Sequence, residues 1–102
     1  MINEVLKVKN QLFEICKTHK VQSLYVFGSV VTDKFNVNSD IDFLYKFKDE
    51  VTLEQYSDNF FEFYEKLNKI FDHNIDLIGE RNISNPFFKK VLEKTKVKIY
   101  EG

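Results

Sequence analysis

The sequence predicts an α+β domain in which a small sheet is covered by helices. Three observations predict it. The apolar periodicity switches repeatedly between helical and strand spacing along the chain. Two helix starts carry capping signatures, Thr52 with Gln55 three places on, and Asn85 directly before Pro86. The chain also has the size and apolar content of one packed unit, with 102 residues, 43% of them hydrophobic, including 11 Phe and 5 Tyr. A chain of this length hides roughly two thirds of its unfolded surface, enough to fold without cross-links. No repeat, linker or low-complexity tract divides it, so residues 1–102 are read as a single domain.

From Ile2 to His19, Val5, Leu6, Leu12, Phe13, Ile15 and Cys16 recur at three- and four-residue intervals, which predicts an amphipathic helix with its cysteine in the core. His19 falls in its last turn, where partial positive charge suits the helix dipole. Ser23–Phe27 is a β-prone run halted by Gly28-Ser29; Val30–Asp33 is expected as a short helix and Lys34–Ser39 as a loop. Asp40 to Lys46 alternates as a strand does. The capping box at Thr52 opens a helix over 53–71, along one face of which Leu53, Tyr56, Phe60, Phe63, Leu67 and Ile70 step. Asn74–Ile78 reads as a third strand ended by Gly79. Phe87–Lys94 reads as a third helix and Val97–Tyr100 as a last short strand.

Composition excludes several function classes. A lone cysteine cannot form an internal disulfide, and no signal-peptide pattern stands at the N-terminus, so a reducing, cytoplasmic setting is expected. No apolar run approaches the roughly 18 residues of a membrane span. Lys and Arg total 15 against 16 Asp and Glu, a net charge of −1. Direct duplex nucleic-acid binding is therefore not expected, because sequence-blind binders need an excess of cations. Arg81 is the single arginine, a skew toward Lys and Asn that we attribute to genomic base composition.

The chemistry concentrates in Phe27-Gly28-Ser29, the ten residues from Val30 to Ser39, and Asp40-Ile41-Asp42. A strand that ends in Gly-Ser and turns into a helix lets backbone N–H groups and the serine hydroxyl approach an anion, phosphate above all. Residues two apart on a strand share a face, so Asp40 and Asp42 converge while Ile41 and Phe43 turn to the core. Two carboxylates at about 4 Å repel by roughly 4 kcal/mol at an effective dielectric near 20, which a cation relieves. Hard oxygen ligands suit Mg²⁺ or Mn²⁺ rather than zinc. Asp76 interrupts the apolar run Ile75-Asp76-Leu77-Ile78 and is the third candidate. Each piece alone has an ordinary reading: Gly-Ser as a turn, Asp-x-Asp as a solvated strand edge, Asp76 as a cap or ion-pair partner. Their conjunction describes metal-assisted phosphoryl or nucleotidyl transfer.

At these residues the chain resembles the minimal nucleotidyltransferases (MNT) of the polymerase-β-like superfamily. Their motif matches Gly28-Ser29, ten residues, then Asp40-x-Asp42, and nearly the whole chain follows the pattern through Asn74-Ile75-Asp76-Leu77 and the Asn85-Pro86 helix to Ile99-Tyr100. The resemblance implies a polymerase-β-like fold with a small mixed sheet and two Mg²⁺ ions at Asp40 and Asp42. It further implies that Asp76 binds one ion and helps activate the acceptor hydroxyl, with Gly28 and Ser29 on the β- and γ-phosphates of a nucleoside triphosphate. Many MNT proteins are antitoxins paired with a HEPN ribonuclease, to a tyrosine of which they transfer AMP from ATP. The implied activity is therefore protein adenylylation of a HEPN-type toxin partner, with a homo-oligomer left open.

The chain departs from the pattern where Val30-Val31-Thr32-Asp33 replaces the usual Arg-Ala-Arg-Gly. Two cations and a glycine are lost and a carboxylate gained. Lys34, Lys46 and Lys48 are candidates to restore charge, Lys46 foremost because alternation puts it on the face of Asp40 and Asp42. The departure sustains a rival reading, a module that neutralises its partner by covering it. Transfer to a small molecule is a third reading, against which stands the lack of a segment to enclose such an acceptor. His73 reads as a histidine at the start of a strand, with the site as its alternative. Phe61 and Tyr64 fall off the helical stripe and mark a contact patch, and Lys89, Lys90, Lys94, Lys96 and Lys98 make the C-terminal end locally basic.

Overall fold

The computed structural model describes residues 2–102. Four strands, β1 (Val21–Phe27), β2 (Ile41–Phe47), β3 (Ile75–Gly79) and β4 (Val97–Glu101), form one sheet in the order β3-β2-β1-β4. Strand β1 runs antiparallel to β2 and β4, whereas β2 and β3 are parallel, so the sheet is mixed. A parallel pair needs a crossover, and α3 (Leu53–Ile70) supplies it. Its capping box forms as the sequence predicts, Thr52 accepting from the Gln55 N–H and Gln55 accepting from the Thr52 N–H.

The expected single opening helix is two, α1 (Asn3–Leu6) and α2 (Lys9–Thr18). A tightened turn, the Val8 N–H donating to the Val5 carbonyl at 3.3 Å, redirects the axis so that Val5 and Leu12 are both fully buried. Apolar spacing counts buried positions and is blind to a change of axis between them. Past α2, the His19 Nδ1–H donates to the Ile15 carbonyl at 2.8 Å, and the His19 carbonyl accepts from Asn59 of α3 at 2.8 Å. Lys20 then turns the chain with φ of 56°, in the left-handed region.

Alternation on β2 sorts two cores. Ile41, Phe43, Tyr45 and Phe47 face α2 and α3, where they meet Leu12, Cys16, Phe63 and Leu67. Burial pushes the Cys16 thiol up to about 12, consistent with a packing role and no reactivity. On the opposite face Phe27 and Leu44 pack under Leu92 of α4 (Pro86–Thr95), whose start is capped by the Asn85 side chain accepting from the Phe87 and Phe88 N–H groups. Asp42 belongs to this second face. Helix α4 covers its middle and leaves the end bearing Asp42 half-open.

Candidate active site

Strand register gathers the acids. Phe27 pairs with Asp42 across β1 and β2, and Asp42 pairs with Asp76 across β2 and β3. Paired residues share a face, so Phe27, Asp42 and Asp76 form one row across three strands, although 34 positions separate the two acids in the chain. Gly28 follows Phe27 with φ of 73°, and a Cβ there would overlap the Asp42 carboxylate oxygen. Both the backbone conformation and the space therefore demand glycine.

Asp40 stands just ahead of β2, not within it as the alternation predicts. The ladder begins at Ile41, whose N–H donates to the Asn74 carbonyl at 2.9 Å, while Ser39 is held in the preceding turn by Asn36 at 3.0 Å. Asp40 and Asp76 are exposed and Asp42 is half-buried. Burial, then the charges of Asp76 and Asp40, and then a hydrogen bond with Asp76 push the Asp42 carboxyl up from 3.8 to about 6. A carboxylate crowded in this way is relieved by a cation, and its oxygens are of the hard type that Mg²⁺ or Mn²⁺ prefers. Among the described residues no three acid, His or Cys side chains stand close enough to make a complete cage. Asp42 and Asp76 are the contacting pair, with Asp40 acting on Asp42 through charge from the strand mouth.

The helical segment expected at Val30–Asp33 is a single 3₁₀ turn over Gly28–Val31. Val30 is fully buried, and the Thr32 hydroxyl closes the turn by donating to the Ser29 carbonyl at 2.9 Å. So short a turn carries little dipole. What it offers an anion is the open backbone at Gly28 and the half-buried Ser29. Asp33 is exposed in the turn that follows.

No lysine is among the charges that shift Asp42. Lys46 shares the face of Asp42, as alternation predicts, but lines a cavity of about 280 Å³ further along β2, with Arg81, Lys89, Glu80 and Glu93. His73 stands just before β3, at the entry to the strand as the sequence reads it. Its Nδ1–H donates to the Ser39 carbonyl at 2.8 Å and its ring packs on Phe35 at 4.6 Å, tying the loop before Asp40 to the start of β3. Its nearness in sequence to Asp76 was the available signal. Phe61 is 62% exposed, as its position off the stripe predicts, whereas Tyr64 stacks on Phe60. The basic C-terminal end is partly neutralised within itself, Lys96 pairing with Glu93 and Lys98 with Glu101.

The family model described as polymerase beta nucleotidyltransferase matches residues 10–102. The chain belongs to this nucleotidyltransferase family. Two Methanocaldococcus jannaschii members resemble it over most of their length. One, "Putative protein adenylyltransferase MJ1379", is 33% identical over 91% of this chain and 89% of its own; MJ0126, described in the same words, is 29% identical over 96% and 94%. Among solved structures, a toxin–antitoxin complex with AMP-PNP contains a chain that superposes with a TM-score of 0.68 at 22% identity, over 92% of this chain and 73% of that one. A tri-AMPylated Shewanella oneidensis HEPN toxin in complex with MNT antitoxin gives 0.63 at 22%, over 95% and 72%. At such identity the superpositions establish a common nucleotidyltransferase fold. No helix of the described residues is long and apolar enough to cross a membrane.

Proposed function

We propose that this nucleotidyltransferase moves a nucleoside monophosphate, AMP from ATP, onto a hydroxyl of a partner protein, and that the partner is a HEPN-type toxin. The observation that carries the reading is the row of Asp42 and Asp76 beside Gly28, with Asp40 at its mouth. Asp40 and Asp42 are the residues to hold two Mg²⁺ ions, with Asp76 sharing one of them. When bound, the ions neutralise charge on the phosphates and lower the pKa of the attacking hydroxyl. Gly28 admits the β- and γ-phosphates to the backbone, and the Ser29 hydroxyl and N–H donate to them. Asp76, the exposed member of the contacting pair, takes the proton of the incoming hydroxyl in this reading. That hydroxyl attacks the α-phosphorus, a phosphodiester bond to the partner forms, and pyrophosphate leaves.

The adenylyl group and the protein acceptor are supported by the description of the M. jannaschii relatives as protein adenylyltransferases and by the toxin–antitoxin complexes among the structural neighbours. The test is incubation with ATP, Mg²⁺ and the HEPN-type protein of the same genome, read by intact-mass spectrometry. Increments of one AMP residue on the partner are expected, absent for Asp40→Asn/Asp42→Asn. Unmodified partner under all conditions, with toxicity still suppressed by the double variant, would favour the masking module. The Val30–Asp33 departure is the feature on that side, and half of it has another cause, since Val30 fills the core and Val31 packs against it.

A further inference from the structure

Transfer at the acid row has a direction. Pyrophosphate leaves toward Gly28 and Ser29, at the end of β1, and displacement at phosphorus needs the entering and leaving oxygens roughly in line. The row runs from Phe27 through Asp42 to Asp76 across β1, β2 and β3. The acceptor hydroxyl therefore enters from the side of β3, which is the outermost strand of the sheet.

That edge is open at its middle. The Ile41 N–H donates to the Asn74 carbonyl at 2.9 Å, and from this bond onward the parallel ladder turns the backbone groups of Asp76 and Ile78 toward β2 and those of Leu77 outward. Asp76 is exposed and Leu77 half-buried. Sheets ordinarily blunt such an edge. The opposite edge, β4, carries Lys98 and a break in its register with β1, whereas β3 has no lysine, proline or break, and its one charge is Asp76 itself. Beside β3, on the side of α3, lies a hollow of about 310 Å³ lined by Leu77 with Tyr56, Phe60 and the exposed Phe61.

We infer that β3 receives the acceptor segment of the partner protein as an added strand, with the hydroxyl-bearing residue opposite Asp76 and an apolar residue next to it opposite Leu77. The inference rests on the function proposed above. An added strand lies about 4.8 Å from β3. Residues opposite one another share a face, so the hydroxyl stands on the side of the acids while its neighbour turns with Leu77 toward α3 and the aromatic hollow. Backbone bonds to Leu77 hold any extended segment, and the hollow selects the side chain beside the hydroxyl.

The test compares Leu77→Pro with Leu77→Ala. Both lose the leucine side chain, but only proline removes the outward N–H, a change that edge strands tolerate because no ladder bond is lost. Circular dichroism shows whether each variant folds, and Phe61→Asp, at an exposed position of α3, is a probe independent of the strand. The acceptor is the HEPN-type protein of the same genome, supplied with ATP and Mg²⁺. Leu77→Pro is expected to raise KM for that protein at least about tenfold over Leu77→Ala, and Phe61→Asp at least about fivefold over the parent, with ATP affinity by calorimetry held within about twofold. In the parent chain without nucleotide, amide exchange at Leu77 followed by NMR is expected to slow at least about tenfold when the partner is added. Leu77→Pro no worse than Leu77→Ala, Phe61→Asp equal to the parent, or unchanged exchange at Leu77 would each overturn the inference while leaving transfer intact. Failure of the parent chain to modify the partner would instead overturn the proposed function, and the inference with it.

Discussion

Replacing Asp42 by asparagine is expected to abolish transfer and to stabilise the fold. The Asp42 carboxyl is raised from 3.8 to about 6, first by burial, then by the charges of Asp76 and Asp40. The folded state thus binds this proton more tightly than the unfolded state. Below the unfolded value of 3.8 there is no penalty; it grows as pH rises toward 6 and is complete above it. At about 1.36 kcal/mol per pH unit the full displacement corresponds to about 3 kcal/mol. Solvent reaching the half-buried carboxylate screens the neighbouring charges, which reduces this to about 1–2 kcal/mol. The Asp42→Asn amide would keep the shape and shed the charge, recovering that amount at pH 8 and almost none at pH 4. Urea unfolding at the two pH values reads it directly, as an upward shift of the midpoint by about 1 M at pH 8 for a chain of this size. Added Mg²⁺ raises the midpoint of the parent protein, because it binds the folded state, and has little effect on the variant. A variant no more stable than the parent at pH 8, or equally stabilised at pH 4, would refute the reasoning that Asp42 is crowded by burial and by the charges of Asp76 and Asp40.

Gly28→Ala meets both the Asp42 carboxylate and a left-handed backbone, and is expected to cost about 1–2 kcal/mol in thermal unfolding and at least tenfold in nucleotide binding. His73→Asn keeps a donor near the Nδ1 position and His73→Gln moves it; retention of Mg²⁺-dependent nucleotide affinity in the first and its loss in the second identifies the Ser39 hydrogen bond as what positions Asp40. Equal effects in both variants would show that the ring, packed on Phe35, matters instead. Lys20→Gly relieves a positive φ at the end of α2 and is expected to raise stability by about 0.5–1 kcal/mol, since the Lys20–Glu50 pair it removes is exposed and 3.8 Å apart. An unchanged or lower melting temperature would show that the exit of α2 carries no such strain.

Local signals account for what the sequence by itself determined. The Thr52–Gln55 box and the Asn85-Pro86 start are written in neighbouring residues, and both caps form as read. Alternation on β2 assigned Ile41 and Phe43 to the core and Asp42 to the opposite face, because side-chain direction on a strand has period two whatever lies beyond it. The mixed sheet came from the family likeness, since propensity says nothing about which strands pair. Only tertiary structure decided the order β3-β2-β1-β4 and hence the register that sets Asp42 between Phe27 and Asp76. It also broke the first helix at Val8, ended the Gly28 turn after four residues, put Asp40 outside the ladder, and gave His73 the Ser39 carbonyl as a partner. The last two depend on contacts between residues distant in the chain, Ile41 with Asn74 and His73 with Ser39. The Asp42 shift belongs with them: two carboxylates 34 positions apart repel only after the crossover of α3 has laid β3 alongside β2.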